Sequence, residues 1–464
     1  MHAPRRFPHL SPAEIDRLDT PGPRYTSYPT APDWTSDFGP EDLAHAVRSA
    51  GEQSPDEALS LYVHLPFCHS LCRFCGCNVI VSRDPDRVDA YLDGVARELA
   101  LYAALLGPRR RLTQLHWGGG TPTFLSVAQL ERLSGLVRSH FTVQRDAEVA
   151  VEVHPGHTTV EQLECLRALG FTRLSMGVQD FDPGVQAQIG RTQSLEVTAT
   201  LVTAARHLGF EGVNFDLVYG LPGQTPTTWA ATLERVIALR PDRLAVYSFA
   251  YLPNQRAQQR AIDPSALPRG ADKLGLLEQA SNALVDAGWS TIGFDHFALP
   301  TDALVRAQRT RTLGRNFQGF TVCAAPDTIA CGVTGISDVG GCYAQNEKRP
   351  SRYFEALAQG RLPVERGVWL TADDQRRRRW IGRLLCNDWL ALTRDEVSGL
   401  TEELDALDRL RAEGLVTLQS TTDGGLELNL TEVGRVFARH VARVFDARLR
   451  KRREDERPEF SRAV

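Results

Sequence analysis

Between residues 59 and 248, short apolar β-prone runs alternate with longer helix-like stretches, and this alternation is the feature that most constrains the fold. Repeats of strand, helix and strand at this spacing predict right-handed βαβ units, which build a parallel sheet covered by helices. Six units suit a partial (β/α)6 TIM-like barrel of the α/β class, because a complete barrel needs eight. The predicted strands are residues 61–65, 113–117, 148–153, 172–176, 213–218 and 244–248.

Both ends of the chain differ from this α/β region. Residues 1–55 are rich in Pro, Ser, Thr and Asp and predict an extended arm with one short helix near residues 40–49. The α/β domain is predicted to span residues 56–365. Residues 366–464 predict a small, mainly helical, winged-helix-like domain, with helices at 371–386, 394–413 and 431–450 and a β-prone pair before the last helix.

The charge balance bears on the kind of partner. The chain has 53 Lys and Arg against 57 Asp and Glu, a net charge of -4, which gives no electrostatic reason to expect nucleic acid. The N-terminus has no apolar stretch typical of a secretory signal. No run approaches the roughly 18 apolar residues of a membrane span. We therefore expect a cytoplasmic protein without a nucleic-acid or membrane partner.

Four of the nine cysteines lie within ten residues, in the loop after the first predicted strand. A cytoplasmic chain keeps its thiols reduced, so clustered cysteines indicate a metal or redox site. Cys68, Cys72 and Cys75 form a C-x3-C-x2-C motif that can bind three irons of a [4Fe–4S] cluster and leave the fourth open. Zinc is the alternative, but it usually takes two separated ligand pairs. The second pair is missing, although Cys77 or a nearby histidine could complete such a site.

Polar features also follow the ends of the later predicted strands. A glycine-rich loop, GGGTPT at residues 118–123, follows the second strand, and Glu152 ends the third. Gln179 follows the fourth strand, and Asp216 lies near the end of the fifth. Because the carboxyl ends of parallel strands meet at one edge, we expect these features and the cysteine loop to share one rim.

The cysteine motif followed by the GGGTP loop resembles the radical S-adenosylmethionine (SAM) superfamily. Further blocks are similar to one of its families, the oxygen-independent coproporphyrinogen III oxidases (coproporphyrinogen dehydrogenases). The likeness runs from about residue 20 to the C-terminus. The blocks are RYTSYPT at 24–30, CGC at 75–77, NFQGF at 316–320 and CYAQN at 342–346.

The resemblance implies an oxidoreductase of haem biosynthesis that uses a [4Fe–4S] cluster and SAM. One electron from the cluster would split SAM, and the 5′-deoxyadenosyl radical would take a hydrogen from a propionate of coproporphyrinogen III. Two propionates would lose CO2 and become the vinyl groups of protoporphyrinogen IX. Such a hydrogen resists acid–base chemistry, so the cofactor supplies the difficult step. The implied partners are this substrate, an electron donor and an unidentified acceptor, and the implied state is a monomer.

The resemblance also implies residue roles. Cys77 matches an extra cysteine that is not a cluster ligand, and it would act in catalysis with Tyr62 and Gln318. Gln179 and Asp216 suit ribose hydroxyls, and Arg191 suits the methionine carboxylate. The expected SAM contacts are Tyr62, Phe74, Gly119, Gly120, Thr121, Glu152, Gln179, Arg191, Asp216, Ala250 and Ile336.

Other expectations concern the substrate, one departure and the alternatives. A substrate with four carboxylates should meet Arg, Lys or backbone N–H groups, and residues 24–31 and 316–320 are candidates to cover it. His154 stands where the family usually has an acidic residue, and it is either an inconsequential loop residue or changes a hydrogen bond near the ribose. The alternative functions are a haem chaperone, a haem-degrading radical methyltransferase and a zinc-stabilised winged-helix regulator. Cys77 and the arm favour the decarboxylase over the chaperone.

Overall fold

A computed structural model describes residues 6–82, 84–323, 325–452, 460 and 462. It contains all six predicted strands of the α/β region, and the predicted fold class is confirmed. Each strand is followed by a helix, because the chain leaves the sheet at its carboxyl edge and returns on its surface. The strands, labelled in chain order, are β1 (Leu59–Leu65), β2 (Arg111–Gly119), β3 (Thr142–Val153), β4 (Arg173–Gln179), β5 (Gly212–Tyr219) and β6 (Arg243–Ser248).

Backbone proximity divides the chain into two compact units, with the boundary inside β5. The first unit comprises Trp34–Asp216 and Cys323–Leu370, and the second comprises Met1–Asp33, Leu217–Val322 and Thr371–Val464. Each unit gathers stretches that are far apart in sequence. The partition into residues 1–55, 56–365 and 366–464 was drawn along the sequence and stays a prediction.

The sheet of the first unit is parallel at its centre. Strands β1, β2, β3 and β4 pair in parallel in that order, followed by residues 212–216 of β5. Strand β1 is buried along almost its whole length, although its leucines and Val63 alternate with Ser60, Tyr62 and His64. The opposite side of β1 is extended, in order, by Thr328–Cys331, Ile336–Val339, Cys342–Asn346 and Val364–Trp369.

Helices of the first unit begin at local capping signals. Ser126 and Gln129 form a capping box before one helix, and Thr159 and Gln162 form another before the next. Because each helix begins directly after the loop that follows a strand, the side chains of that loop stay at the carboxyl edge of the sheet. The helices are Pro40–Gln53, Pro85–Leu106, Val127–His140, Val160–Ala168, Pro183–Ile189, Leu195–His207 and Pro350–Ala358.

The second unit continues from residues 217–219 of β5 through β6 to the short antiparallel strands His296–Ala298 and Ser290–Ile292. A separate hairpin pairs Gly314–Asn316 with Gly319–Thr321. The predicted N-terminal arm contains one further helix, Pro12–Leu18. Ser11 and Glu14 form a capping box at its start. The remaining helices before residue 370 are Pro226–Leu239, Gly270–Asp286 and Ala303–Arg309.

The C-terminal part of the second unit contains the hairpin and one of the three helices as predicted. Strands Val416–Ser420 and Leu426–Leu430 pair as predicted, and Trp389–Leu392 adds a third strand. The prediction of one helix over residues 431–450 was wrong. Four short segments, Glu432–Val436, Ala438–Ala442, Arg443–Phe445 and Ala447–Lys451, replace it, and the turns between them let Phe437 and Phe445 become fully buried.

The preceding prediction, residues 394–413, also breaks into two helices. Arg394–Ser398 ends at Gly399, and Thr401–Ala412 follows, while Ala372–Asn387 agrees with its prediction. Within the described ranges, no helix is both long and apolar enough to cross a membrane.

A carboxyl group is buried in the core of the first unit. Glu98, on helix Pro85–Leu106, accepts hydrogen bonds from the Asn346 amide (2.6 Å), the Gly332 N–H (2.7 Å) and the Tyr353 hydroxyl (2.7 Å). Burial raises the pKa of Glu98 from 4.5 to about 7, although the three donors oppose the shift. The folded protein therefore holds a proton that the unfolded chain releases above pH 4.5.

The free energy of unfolding should fall by about 3 kcal/mol as the pH rises from 4.5 to 7, because the raised pKa favours folding only while Glu98 is protonated. Glu98→Gln should flatten this part of the pH profile, measured by urea unfolding at several pH values. Glu131→Gln, an exposed change in the same unit, should keep the wild-type slope. An unchanged slope in Glu98→Gln would show that Glu98 does not titrate in this range.

Candidate functional site

The cysteine loop leaves β1 in the first unit and folds back on itself. Its two ends pair in parallel, Phe67–Cys68 with Ile80–Val81. Cys68, Cys72 and Cys75 are half-buried, whereas Cys77 is exposed. The backbone N–H of Cys77 donates to the Cys75 sulfur at 3.4 Å, so the loop turns around this thiol.

A cation and a hydroxyl lie beside the thiols. The Arg191 Nη1 atom is 3.9 Å from the Cys72 sulfur, and the Thr121 hydroxyl is 3.5 Å from the Cys68 sulfur. Burial raises the pKa of the Cys68 thiol to about 11, although the Thr121 hydroxyl opposes the shift. A bound metal deprotonates such a thiol outright, and the neighbouring guanidinium favours the thiolate.

Arg191 is itself held in place by its own segment. Only 8% of its surface is exposed. Its Nε donates to the Gln193 side chain at 3.1 Å, and its Nη2 donates to the Gly177 carbonyl. Gln193 in turn donates to the Val178 carbonyl at 2.7 Å. These contacts fix the guanidinium at the end of β4, next to the cysteine loop.

The donor set suits an iron–sulfur cluster. Three half-buried thiols on one loop, with a buried cation beside them, are the ligands and the counter-charge that a cluster with three protein ligands requires. In the part of the chain that the structure describes, no group of three or more His, Cys, Asp or Glu side chains could hold a single metal ion.

The glycine-rich loop packs against the cysteine loop through its backbone. The Gly120 N–H donates to the Leu65 carbonyl at 2.9 Å, and the Thr121 N–H donates to the Phe67 carbonyl at 2.8 Å. A Cβ atom on Gly120 would lie 2.6 Å from the Pro66 carbonyl carbon. Glycine is therefore required here, because the two loops are in backbone contact.

Glu152, at the end of β3, lies across the glycine-rich loop. Its carboxylate accepts from the Gly119 N–H (2.9 Å) and from His116 Nε2 (3.2 Å). A Cβ atom on Gly118 would lie 2.6 Å from this carboxylate. Burial raises the pKa of Glu152, but the hydrogen bonds from His116 and Gly119 outweigh it, and the pKa lies below its ordinary value. The site thus holds an ionised carboxylate at neutral pH.

Tyr62 and His64, both on β1, are joined by a side-chain hydrogen bond. The Tyr62 hydroxyl is 3.1 Å from His64 Nδ1, and His64 Nε2 is 3.2 Å from the Asn78 carbonyl. Burial lowers the pKa of His64, so the ring is neutral. Because the carbonyl can only accept, Nε2 carries the hydrogen and Nδ1 accepts from Tyr62.

The ends of β4 and β5 carry the next two predicted residues. Gln179 is buried with a φ of 66°, and its amide nitrogen lies 2.7 Å from where a Cβ on Gly177 would be. The Asp216 carboxylate accepts from the Ser175 hydroxyl (3.0 Å) and from the Asn214 amide (2.9 Å). Both side chains therefore belong to the same edge of the sheet as Glu152.

The other predicted residues are divided between the units. Phe74 is half-buried in the cysteine loop, and Ile336 is half-buried at the start of its strand, both in the first unit. Ala250 and Gln318 belong to the second unit. The Ala250 carbonyl accepts from the Gln259 amide at 3.0 Å, and the Gln318 N–H donates to the Asn316 side chain at 3.0 Å. Roles for Ala250 and Gln318 stay predictions.

Sequence reasoning missed the residues that orient the site. His116 pairs in register with Tyr62, but β2 also contains Thr113 and Gln114, so a polar residue there is no distinct signal in the sequence. Gln193 and Asn214 act through side-chain hydrogen bonds within their own segments, for which the sequence carries no signal either.

His154 takes part in a turn and lies in a row of three tilted histidine rings. Its Nδ1 accepts from the Gly156 N–H at 3.1 Å, and its ring lies 4.5 Å from that of His157. His157 is in turn 4.5 Å from His69. Burial lowers the pKa of His154 to about 2, with Arg191 adding to the shift. The described contacts of His154 are thus local, and its effect near the ribose stays a prediction.

The chain matches the Radical SAM superfamily over residues 62–236. It is 42% identical over 459 residues to the oxygen-independent coproporphyrinogen III oxidase of Escherichia coli, covering 97% of this chain and 98% of that one. The enzyme of the same name from Pseudomonas aeruginosa is 40% identical with the same coverage. The solved structure of coproporphyrinogen III oxidase from Escherichia coli, a radical SAM enzyme, superimposes with a TM-score of 0.86 at 43% identity, covering 92% of this chain and 98% of that one.

Gly118→Ala should destabilise the protein by about 1–3 kcal/mol, because its Cβ would collide with the Glu152 carboxylate. Adding Glu152→Ala should recover part of the loss, since the colliding group is then absent. Gly135→Ala is the matched control; nothing lies within 4 Å of its Cβ, and it should stabilise the exposed helix by about 0.5–1 kcal/mol. Urea unfolding measures all four proteins. A neutral Gly118→Ala would contradict the close packing of Glu152 on this loop.

Proposed function

This chain belongs to the oxygen-independent coproporphyrinogen III oxidases of the radical SAM superfamily, and on that premise we propose how its residues carry out the family's reaction. The enzyme converts two propionates of coproporphyrinogen III to vinyl groups and uses a [4Fe–4S] cluster and SAM. The observation that carries this function is the likeness over 97% of the chain, well beyond the superfamily region at 62–236.

Cys68, Cys72 and Cys75 are proposed to hold the cluster. Their support is a single loop with three half-buried thiols, closed at its base by strand pairing. Cys77 is left outside the ligand set, because its side chain is exposed and its N–H already donates to the Cys75 sulfur. Arg191 next to Cys72 offsets part of the negative charge of the thiolates.

The polar groups along the sheet edge are proposed to bind the parts of SAM. The ionised Glu152 and the half-buried backbone of Gly119 and Gly120 suit the methionine ammonium group. Arg191 suits the methionine carboxylate, because a guanidinium can form a charge-assisted pair with it. Gln179 and Asp216 suit the ribose hydroxyls, and hydrogen bonds from Ser175 and Asn214 hold Asp216 in place.

Phe74 and Ile336 are proposed to pack against SAM, and Tyr62 to contact it from beneath the glycine-rich loop. The support for Tyr62 is its fixed position: its hydroxyl is bound to His64, and its ring lies 5.7 Å from that of His116. Burial raises the pKa of Tyr62 well above its ordinary value, so it stays a neutral phenol.

When bound, the cluster and SAM together supply the 5′-deoxyadenosyl radical that takes a hydrogen from a propionate. The protein's part is to orient the substrate and to keep other hydrogen donors away. Forming each vinyl group also removes CO2 and one further electron, so the balance needs an electron acceptor as well as a donor for the cluster. No two of the described cysteines form a disulfide, and we keep a reducing compartment such as the cytoplasm as part of the proposal.

The function is tested with the iron–sulfur-reconstituted full chain under anaerobic conditions. Incubation with coproporphyrinogen III, SAM and a reductant should give protoporphyrinogen IX and 5′-deoxyadenosine, both measured by chromatography. Cys72→Ser should lose both products and most of its bound iron, because one cluster ligand is gone. Cys165→Ser, outside the loop, should keep both.

Full turnover by Cys72→Ser would overturn the ligand assignment. Tight haem binding by the wild type without any decarboxylated product would instead favour the chaperone of the same superfamily.

Cys77→Ser separates the exposed cysteine from the ligands. It should keep the wild-type iron content and still cleave SAM to 5′-deoxyadenosine, because the three ligands remain. Formation of protoporphyrinogen IX should fall at least about tenfold if the thiol acts on the substrate side. Loss of iron in this variant would make Cys77 a ligand, and unchanged product formation would remove it from catalysis.

A further inference from the structure

Four basic side chains from four separate stretches meet at the end of β6 in the second unit. Arg24 donates to the Ser248 carbonyl at 2.6 Å, and Lys273 donates to the Phe249 carbonyl at 2.9 Å. Arg315 donates to the Arg24 carbonyl at 3.3 Å. Arg439 donates to the Arg462 carbonyl at 2.8 Å, and Arg462 pairs with Pro21, three residues before Arg24.

Arg439 is the buried member of this cluster, and Arg24, Lys273 and Arg315 are half-buried. Only 8% of the Arg439 surface is exposed, and burial lowers its pKa to about 10, with Arg24 adding to the shift. Burial likewise lowers the pKa of Lys273 to about 8. Asp19 raises this pKa, whereas Arg24 and Arg439 lower it further. Holding several like charges out of water is costly unless an anion is bound among them.

The acidic groups nearby are fewer than the basic ones and are already engaged. The Asp295 carboxylate is hydrogen-bonded to His296 Nδ1 at 2.5 Å, while Arg315 and Arg24 act on it from a greater distance. Asp19 lies 3.6 Å from Arg462. The buried Nε atom of Arg315 has no hydrogen-bond acceptor among the described residues. The cluster therefore keeps an excess of positive charge and a buried donor.

Aromatic rings line the same place. The Arg315 guanidinium lies 5.1 Å from the Phe294 ring and 5.3 Å from the Phe320 ring. The His296 ring contacts Phe320 at 4.9 Å and Tyr247 at 5.7 Å. A cationic cluster beside aromatic faces is complementary to a flat, largely apolar macrocycle with carboxylates on its rim.

We propose that Arg24, Arg315 and Arg439, with Lys273, bind propionate carboxylates of the porphyrinogen substrate. This inference rests on the proposed function, and it gives the cation cluster and its unpaired donor a ligand. It also accounts for the meeting of the RYTSYPT and NFQGF regions, since Arg24 opens the first block and Arg315 directly precedes the second. Two of the four propionates are retained in the product. Their carboxylates can therefore stay bound to the cluster while the other two propionates react.

The test measures binding of coproporphyrin III, a stable tetracarboxylate, to the reconstituted full chain by fluorescence. Wild type should bind it, should bind its uncharged tetramethyl ester far more weakly, and should lose affinity as salt increases. Arg24→Gln and Arg439→Gln should each weaken binding of the acid by about 10- to 100-fold. Arg439→Lys should recover part of the loss, because it keeps the charge. Arg306→Gln, an exposed arginine of the same unit, is the control and should match wild type.

The iron content of each reconstituted variant reports on the cluster site and should match that of the wild type. If Arg439→Gln does not fold, Arg24→Gln decides the matter, because Arg24 is only half-buried. Wild-type affinity and KM in a folded Arg24→Gln would overturn the proposal, as would equal binding of acid and ester. A wild type that binds the acid but forms no divinyl product would instead contradict the proposed function.

Discussion

Leu65 of β1 lies opposite Gly119 of β2, and Tyr62 lies opposite His116 three residues earlier. This parallel register brings the two strands to their carboxyl ends at the same level. The cysteine loop and the glycine-rich loop therefore start side by side, and backbone hydrogen bonds from Gly120 and Thr121 join them. A shift of one residue would turn Tyr62 to the other face of the sheet and separate it from His116.

Glycine is the other half of this constraint. Gly118 leaves space for the Glu152 carboxylate, and Gly120 leaves space for the backbone of the cysteine loop. Gly119 has a φ of 113°, and a Cβ there would lie 2.5 Å from the His64 ring. Three successive residues without side chains thus allow a carboxylate, a ring and a second loop to approach one short segment.

Much of this arrangement follows from sequence, because strand patterns and loop motifs are local. The six strands and the edge that gathers Glu152, Gln179 and Asp216 could be predicted from periodicity and chain order. The broken helix around Phe437 could not, since burial of that ring in the tertiary fold outweighs helix propensity. Nor could the cation cluster, because Arg24 and Arg439 are separated by most of the chain and nothing in either segment identifies the other.

The hydrogen bonds around Tyr62 run in one direction. The Asn78 carbonyl fixes the hydrogen of His64 on Nε2, so Nδ1 must accept the hydroxyl hydrogen of Tyr62. The phenol therefore presents lone pairs, and not its O–H bond, to anything else that approaches its oxygen. A phenolic hydrogen is among the easier ones for a carbon radical to abstract. The tautomer of the buried His64 thus keeps the hydroxyl hydrogen of Tyr62 in a hydrogen bond to the imidazole, where it does not compete with the substrate hydrogen.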